Sequence, residues 1–168
     1  MDPSIYQTPE ADLTPADDNI SDAPLASRWS RLGASLLDTI ILFAILFPLL
    51  FLIGWFSMFE NGNEPPLLHS IILGFVGIII FFAVNYRFLS TNGQTIGKKA
   101  LNIKIVATDG SKAILGDHII KRYLVYFIPN HIPVIGSFLS MANVLFIFRK
   151  NKQCLHDDIA KTKVIKNQ

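Results

Sequence analysis

Apolar residues are gathered into long runs rather than spread along the chain. Residues 32–56 (LGASLLDTIILFAILFPLLFLIGWF) and 67–88 (LLHSIILGFVGIIIFFAVNYRF) are almost unbroken. At ~1.5 Å per residue each is long enough to cross a hydrocarbon core of about 30 Å with some tilt. Pro48 is placed to kink the first span, and only glycines, His69, Ser70 and Asn85 interrupt the second before Arg87. The period then changes. LNIKIVAT alternates and is rich in β-branched residues, and ATDGS supplies a turn, so residues 98–114 predict a short β-hairpin. AKTKVIK near the end alternates likewise and offers a third strand, since two strands alone are marginally stable.

Residues 117–148 are apolar but broken at PNHIP, where Pro129 and Pro133 each disfavour helix continuation. The two arms, roughly 18 and 22 Å long as helices, are each too short to span. They predict a re-entrant helical hairpin, with a single third span over about Pro133–Phe148 as the alternative. The fold class expected is therefore an all-α membrane protein. It has two transmembrane helices, a re-entrant hairpin or third membrane helix, and a small β-hairpin or three-strand element on the cytoplasmic side.

Charge sharpens this picture. Residues 1–27 hold six acidic residues, four prolines and no Lys or Arg, which reads as a disordered acidic tail before a membrane domain over 28–168. That opening is unlike a secretory signal peptide, which begins with basic residues and an apolar core. All 15 Lys and Arg fall in 28–168 against seven Asp and Glu. The loop between the spans carries Glu60 and Glu64 and no basic residue, while Arg28, Arg31, Arg87, Lys98, Lys99 and Lys104 flank the other ends. The positive-inside rule places that loop outside and both termini, with the tail 149–168, in the cytoplasm. Basic residues at the cytoplasmic face suit anionic lipid headgroups, and no basic stripe interleaved with aromatics suggests nucleic acid. Cys154 is the one cysteine, so no intrachain disulfide forms, and it reads as a cytoplasmic free thiol.

The candidate chemistry is sparse. Asp38 lies inside the first apolar run, where an ionised carboxylate costs about 2.5 to 3.5 kcal/mol at the bilayer centre. Arg31 stands two turns earlier on the same face, about 10 Å along the axis, and is the expected compensating charge. Asn85 lies at a similar depth on the second span and is a candidate amide partner. His156, Asp157 and Asp158 form a second polar cluster, suited to a helix cap or a salt bridge to Arg31 or Lys98 better than to a metal. NGQTIGKK, with Thr95, Gly97 and Lys98, fails as a P-loop: the glycine spacing is one residue short, and Lys99 stands where Ser or Thr should hold magnesium. No catalytic triad order, HExxH or GxSxG occurs, so neither an enzyme nor a cofactor is expected.

RLGASLLD, TIGKKALNIKIVATDG and LHDDIAKTKVI together resemble the RDD family of bacterial membrane proteins, named for one arginine and two aspartates. The resemblance covers about residues 26–166. It equates Arg31 with the arginine at the start of the first membrane helix, Asp38 with the aspartate within that helix, and Asp157 with the second aspartate. This chain departs at Lys161-Thr162, where members commonly have Gly-Thr, and in the doubled Asp157-Asp158. The resemblance implies a bacterial inner-membrane protein that transports ions or small solutes, and the residues themselves suggest Asp38 as the group exchanging a proton or cation. So few spans imply a homo-oligomer or a membrane partner protein. The competing reading is a non-transporting scaffold or assembly factor, in which the same trio is structural.

Overall fold

Residues 23–60, 62, 66–132 and 135–167 are described by the computed structural model of the chain. Most of the acidic tail, Glu64 and Pro133 lie outside the described residues. Helix α1 spans Arg28–Leu52 and begins at Ser27, whose hydroxyl accepts from the Ser30 amide at 2.9 Å. This satisfies one of the donors a helix start leaves open. The helix runs through Pro48 and stops short of the expected Phe56, because Gly54 turns the chain at φ 68 before a short α2, Trp55–Glu60. Helix α3 spans Leu67–Asn92 and is closed by Gly93 in the left-handed region, φ 64. A side chain there would also collide with the Ile105 carbonyl, 2.4 Å from the Cβ position.

Both long helices are apolar enough to cross a membrane, and only 6% and 11% of their most apolar stretches are buried. A helix at the core of a water-soluble protein is mostly covered, and these are not. The buried core lies instead at the end of the helices that carries Arg28, where Ala34, Phe81 and Leu89 meet Ile103, Ile105 and Val164.

That end is closed by the short elements. Helix α4 (Ile96–Ala100) leads into β1 (Ile103–Ala107), which pairs antiparallel with β2 (Thr162–Lys166). The expected local hairpin over 98–114 is thus corrected. The turn after β1 returns only as a single bridge between Val106 and Lys112, and the main partner of β1 is the C-terminal strand. The Ile103, Ile105 and Val164 side chains bury on the core face, and that burial selects the distant partner over the polar Ser111-Lys112. Upstream of α1, Leu25 bridges to Ile165, and the Ala26 amide donates to the Val164 carbonyl at 2.9 Å.

Residues 115–148 form a π-helical turn (Leu115–Ile119), α5 (Ile120–Phe127), a 3-10 turn (Ile128–His131), α6 (Ile135–Leu145) and a last 3-10 turn, Phe146–Phe148. The break falls at Pro129, and α5 and α6 are about 12 and 16 Å long, each short of a span. The segment leaves and returns to the same end of α1. Arg122 of α5 reaches the Asp157 that Arg31 holds, and Arg28 donates to the Ile147 carbonyl at 3.0 Å. Helix α7 (Leu155–Ile159) then leads into β2.

Candidate functional site

Asp38 and Asp157 are both buried, and each is enclosed by a different set of partners. Asp157 is fully buried at 0% exposure, and its two oxygens take ion pairs from Arg31 of α1 and Arg122 of α5. Its Oδ2 also accepts from the Cys154 amide at 2.9 Å, so the carboxylate caps the first turn of its own helix. Arg122 donates onward to the Thr162 hydroxyl at 2.9 Å, and Arg31 to the Lys152 carbonyl. One carboxylate thereby ties α1, α5, α7 and β2 together. Arg31 is thus the partner of Asp157. The expectation that it compensates Asp38 is corrected.

Asp38 has another environment. Thr95 donates its hydroxyl hydrogen to Oδ2 at 2.5 Å, the Gly97 amide donates to Oδ1 at 2.8 Å, and Lys98 Nζ stands 4.0 Å away. Asn85 contributes beside it rather than to it: its side-chain carbonyl accepts the Ile96 amide at 2.9 Å. The Thr95 hydroxyl accepts from the Lys98 amide at 3.2 Å. The first three amides of α4 are therefore satisfied in turn by α3, by α1 and by the helix's own cap. The close approach requires glycine at 97, where a Cβ would lie 2.2 Å from the Ala34 carbonyl and 2.9 Å from Asp38 Oδ1.

The remaining candidates are placed plainly. Arg28 grips the end of the 117–148 segment through the carbonyls of Ile147, Phe148 and Arg149. Asp158 pairs with Arg149 at the surface, which singles out Asp157 as the buried aspartate. His156 is buried against Tyr126, with its amide and Nδ1 both at the Asn143 side-chain oxygen, 3.0 and 2.9 Å. Burial, reinforced by Arg122, Arg31 and Lys98, pushes its pKa well below the ordinary histidine value, so it is neutral.

Lys98 Nζ touches the Tyr123 hydroxyl at 3.2 Å. Desolvation brings its pKa down to about 7, with Arg122 adding to the fall and Asp38 opposing it. Arg122, Tyr123, Asn143 and Thr162 escape sequence reasoning. The only signal Arg122 gives is an arginine entering an apolar run.

Cys154, His156 and Asp157 place donor atoms within 4.8 Å of one another. The set does not suit a metal ion: two guanidiniums occupy Asp157, Asn143 engages His156 Nδ1, and burial raises the Cys154 pKa, keeping the thiol protonated.

Beside these networks lies a cavity of about 560 Å³ between α1, α5 and α6. Its polar wall carries Arg28, Arg31, Asp38, Lys98 and Arg122, and its other walls include Leu42, Phe81, Phe127 and Ile147.

Residues 25–161 match the family model described as the RDD family. The chain is similar to two proteins of Bacillus subtilis (strain 168), each named only as uncharacterized. It is 34% identical to YckC over 142 residues, covering 83% of each chain. It is 31% identical to YxaI over 155 residues, covering 83% of this chain and 96% of that one. No solved structure matches it.

Proposed function

The chain belongs to the RDD family, and from that premise we propose a multi-pass membrane protein that handles an ion or small solute at the cavity between α1, α5 and α6. In this reading α1 and α3 cross the bilayer, and the Arg28 end faces the cytoplasm. The 117–148 segment dips in and returns. The uncovered apolar surface of the two long helices supports the membrane setting, and the basic residues at one end support the orientation.

The observation that carries the reading is the cavity itself, where buried charged groups face a partly open, mostly apolar space. Within it Lys98 is better suited than Asp38 to bear a moving proton. A lysine titrating at about 7 populates both states at neutral pH. The groups facing it are Asp38 and Arg31 of α1, Arg122 and Tyr123 of α5, and Thr95 of its own turn. Asp38, by contrast, accepts from Thr95 and Gly97, so protonating it would loosen the seat of α4.

Reconstituted protein in liposomes with an interior pH dye, challenged with sodium, potassium and proton gradients, tests this. Cation- or solute-dependent pH change is expected from the native protein. Lys98→Met should abolish it while inserting normally. Silence under every gradient, from protein shown to be folded, would overturn the transport reading. It would favour the second reading, a non-transporting scaffold. That reading is supported by one specific observation: both aspartates of the trio are already saturated by internal partners.

A further inference from the structure

The cavity wall carries more positive charge than its own carboxylates neutralise. Arg28, Arg31, Lys98 and Arg122 line it, against Asp38 in the wall and Asp157 behind it. Three of these cations, Arg31, Lys98 and Arg122, are buried, and against two anions they leave one positive charge over when Lys98 is protonated; Arg28 adds an exposed one. Uncompensated charge in an apolar, water-poor space is costly, and a bound anion relieves it.

The rest of the lining is mostly apolar, and part of it is exposed. Trp29 and Leu32 of α1 and Phe148 line it while being 80%, 56% and 68% exposed, which places them at its rim. Along α1 the lining runs from Trp29 to Leu42, about 20 Å at the helical rise. A small soluble anion would leave that length and that rim unused.

We propose that this cavity binds an anionic amphiphile drawn from the lipid phase. Its phosphate or carboxylate head lies against Arg28, Arg31, Lys98 and Arg122, and one hydrocarbon chain lies along α1 towards Leu42 and Phe81. The proposal rests on reading the cavity as the solute site and names the class of solute it holds. Arginine forks and a lysine ammonium together suit the oxygens of such a headgroup.

Trp29 at the rim serves as the reporter. The chain has two tryptophans, so Trp55→Phe leaves Trp29 alone. This variant, in detergent, is titrated with phosphatidylglycerol carrying brominated chains and, separately, with brominated phosphatidylcholine. Saturable quenching about tenfold tighter for the anionic lipid is expected, the scale of one charge-assisted contact. Adding Lys98→Met should remove most of that preference. Ser35→Phe, which fills the cavity from α1 without touching an ion pair, should abolish saturable quenching by both lipids. Equal quenching by the two lipids in the parent variant would overturn the proposal. So would displacement of the brominated phosphatidylglycerol by inorganic phosphate alone at similar concentration, which would make this a soluble-anion site. Selective lipid binding without flux in liposomes would keep this site and remove the transport reading. Flux without lipid preference would do the reverse.

Discussion

At the scale of single residues, the two adjacent aspartates near the C-terminus have opposite weights. Removing the Asp157 charge leaves Arg31 and Arg122 buried and facing each other, so Asp157→Asn is expected to cost about 3–5 kcal/mol. Asp158→Asn breaks only a half-exposed pair with Arg149 and should cost at most about 1 kcal/mol. Thermal unfolding in detergent separates the two, and equal losses would contradict the assignment. Lys98 makes a pH-dependent contribution whose sign follows from its lowered pKa. Between about 7 and the ordinary 10.5 the unfolded chain binds more protons than the folded one, so stability should rise with pH across that window. A Lys98→Met variant should lose this slope. The Lys161 backbone sits at φ 50, in the left-handed region where glycine is unstrained and lysine is not. Lys161→Gly should therefore gain about 1 kcal/mol, read as a higher unfolding temperature.

At the scale of elements, α4 is too short to stand by its own hydrogen bonds and is held by what caps it. Its first-turn amides go to Asn85, Asp38 and Thr95, which fasten it to both long helices. Gly97→Ala would press a methyl group against the Ala34 carbonyl and Asp38, and a cost of about 1–3 kcal/mol is expected from such overpacking. Because α4 leads directly into β1, the same variant should also raise hydrogen exchange along β1 and β2. Exchange unchanged there would separate α4 from the sheet. The sheet itself is small, two strands with single bridges to Leu25 and Lys112, so its persistence depends on the Arg122–Thr162 and Asp157 contacts beneath it.

For the whole molecule, the return of the 117–148 segment to the Arg28 end of α1 makes a topological statement that labelling can test. In a Cys154→Ser background, single cysteines at Lys121 and at Lys150 should both react with an impermeant maleimide from the same side of the membrane. Labelling from opposite sides would require a single crossing and would undo the re-entrant arrangement. The same-side result would accord with Arg28 holding the Ile147 carbonyl at one end of that segment and Arg122, at the other, sharing Asp157 with Arg31.

Much of this arrangement is legible locally. Run length marks α1 and α3, the switch from continuous to alternating apolar residues marks β1 and β2, and the prolines mark the break after α5, because each is a property of neighbouring residues. Arg31, Asp38 and Asp157 likewise stand out by residue type, as charges at the edge of or within apolar surroundings. Of their partners, Arg31 for Asp157 is one of the two that residue type and charge already suggest. The others are not legible: Gly97 meets Asp38 across 59 positions, Arg122 meets Asp157 across 35, and Ile105 of β1 pairs with Val164 rather than with the residues just beyond its turn. Seven residues along one helix suggested Arg31 for Asp38, but an amide-rich helix start arriving from elsewhere satisfied that carboxylate first. A buried ion pair or a strand register is chosen by whichever groups the folded chain brings within a few ångströms, and periodicity in one segment carries no record of that choice.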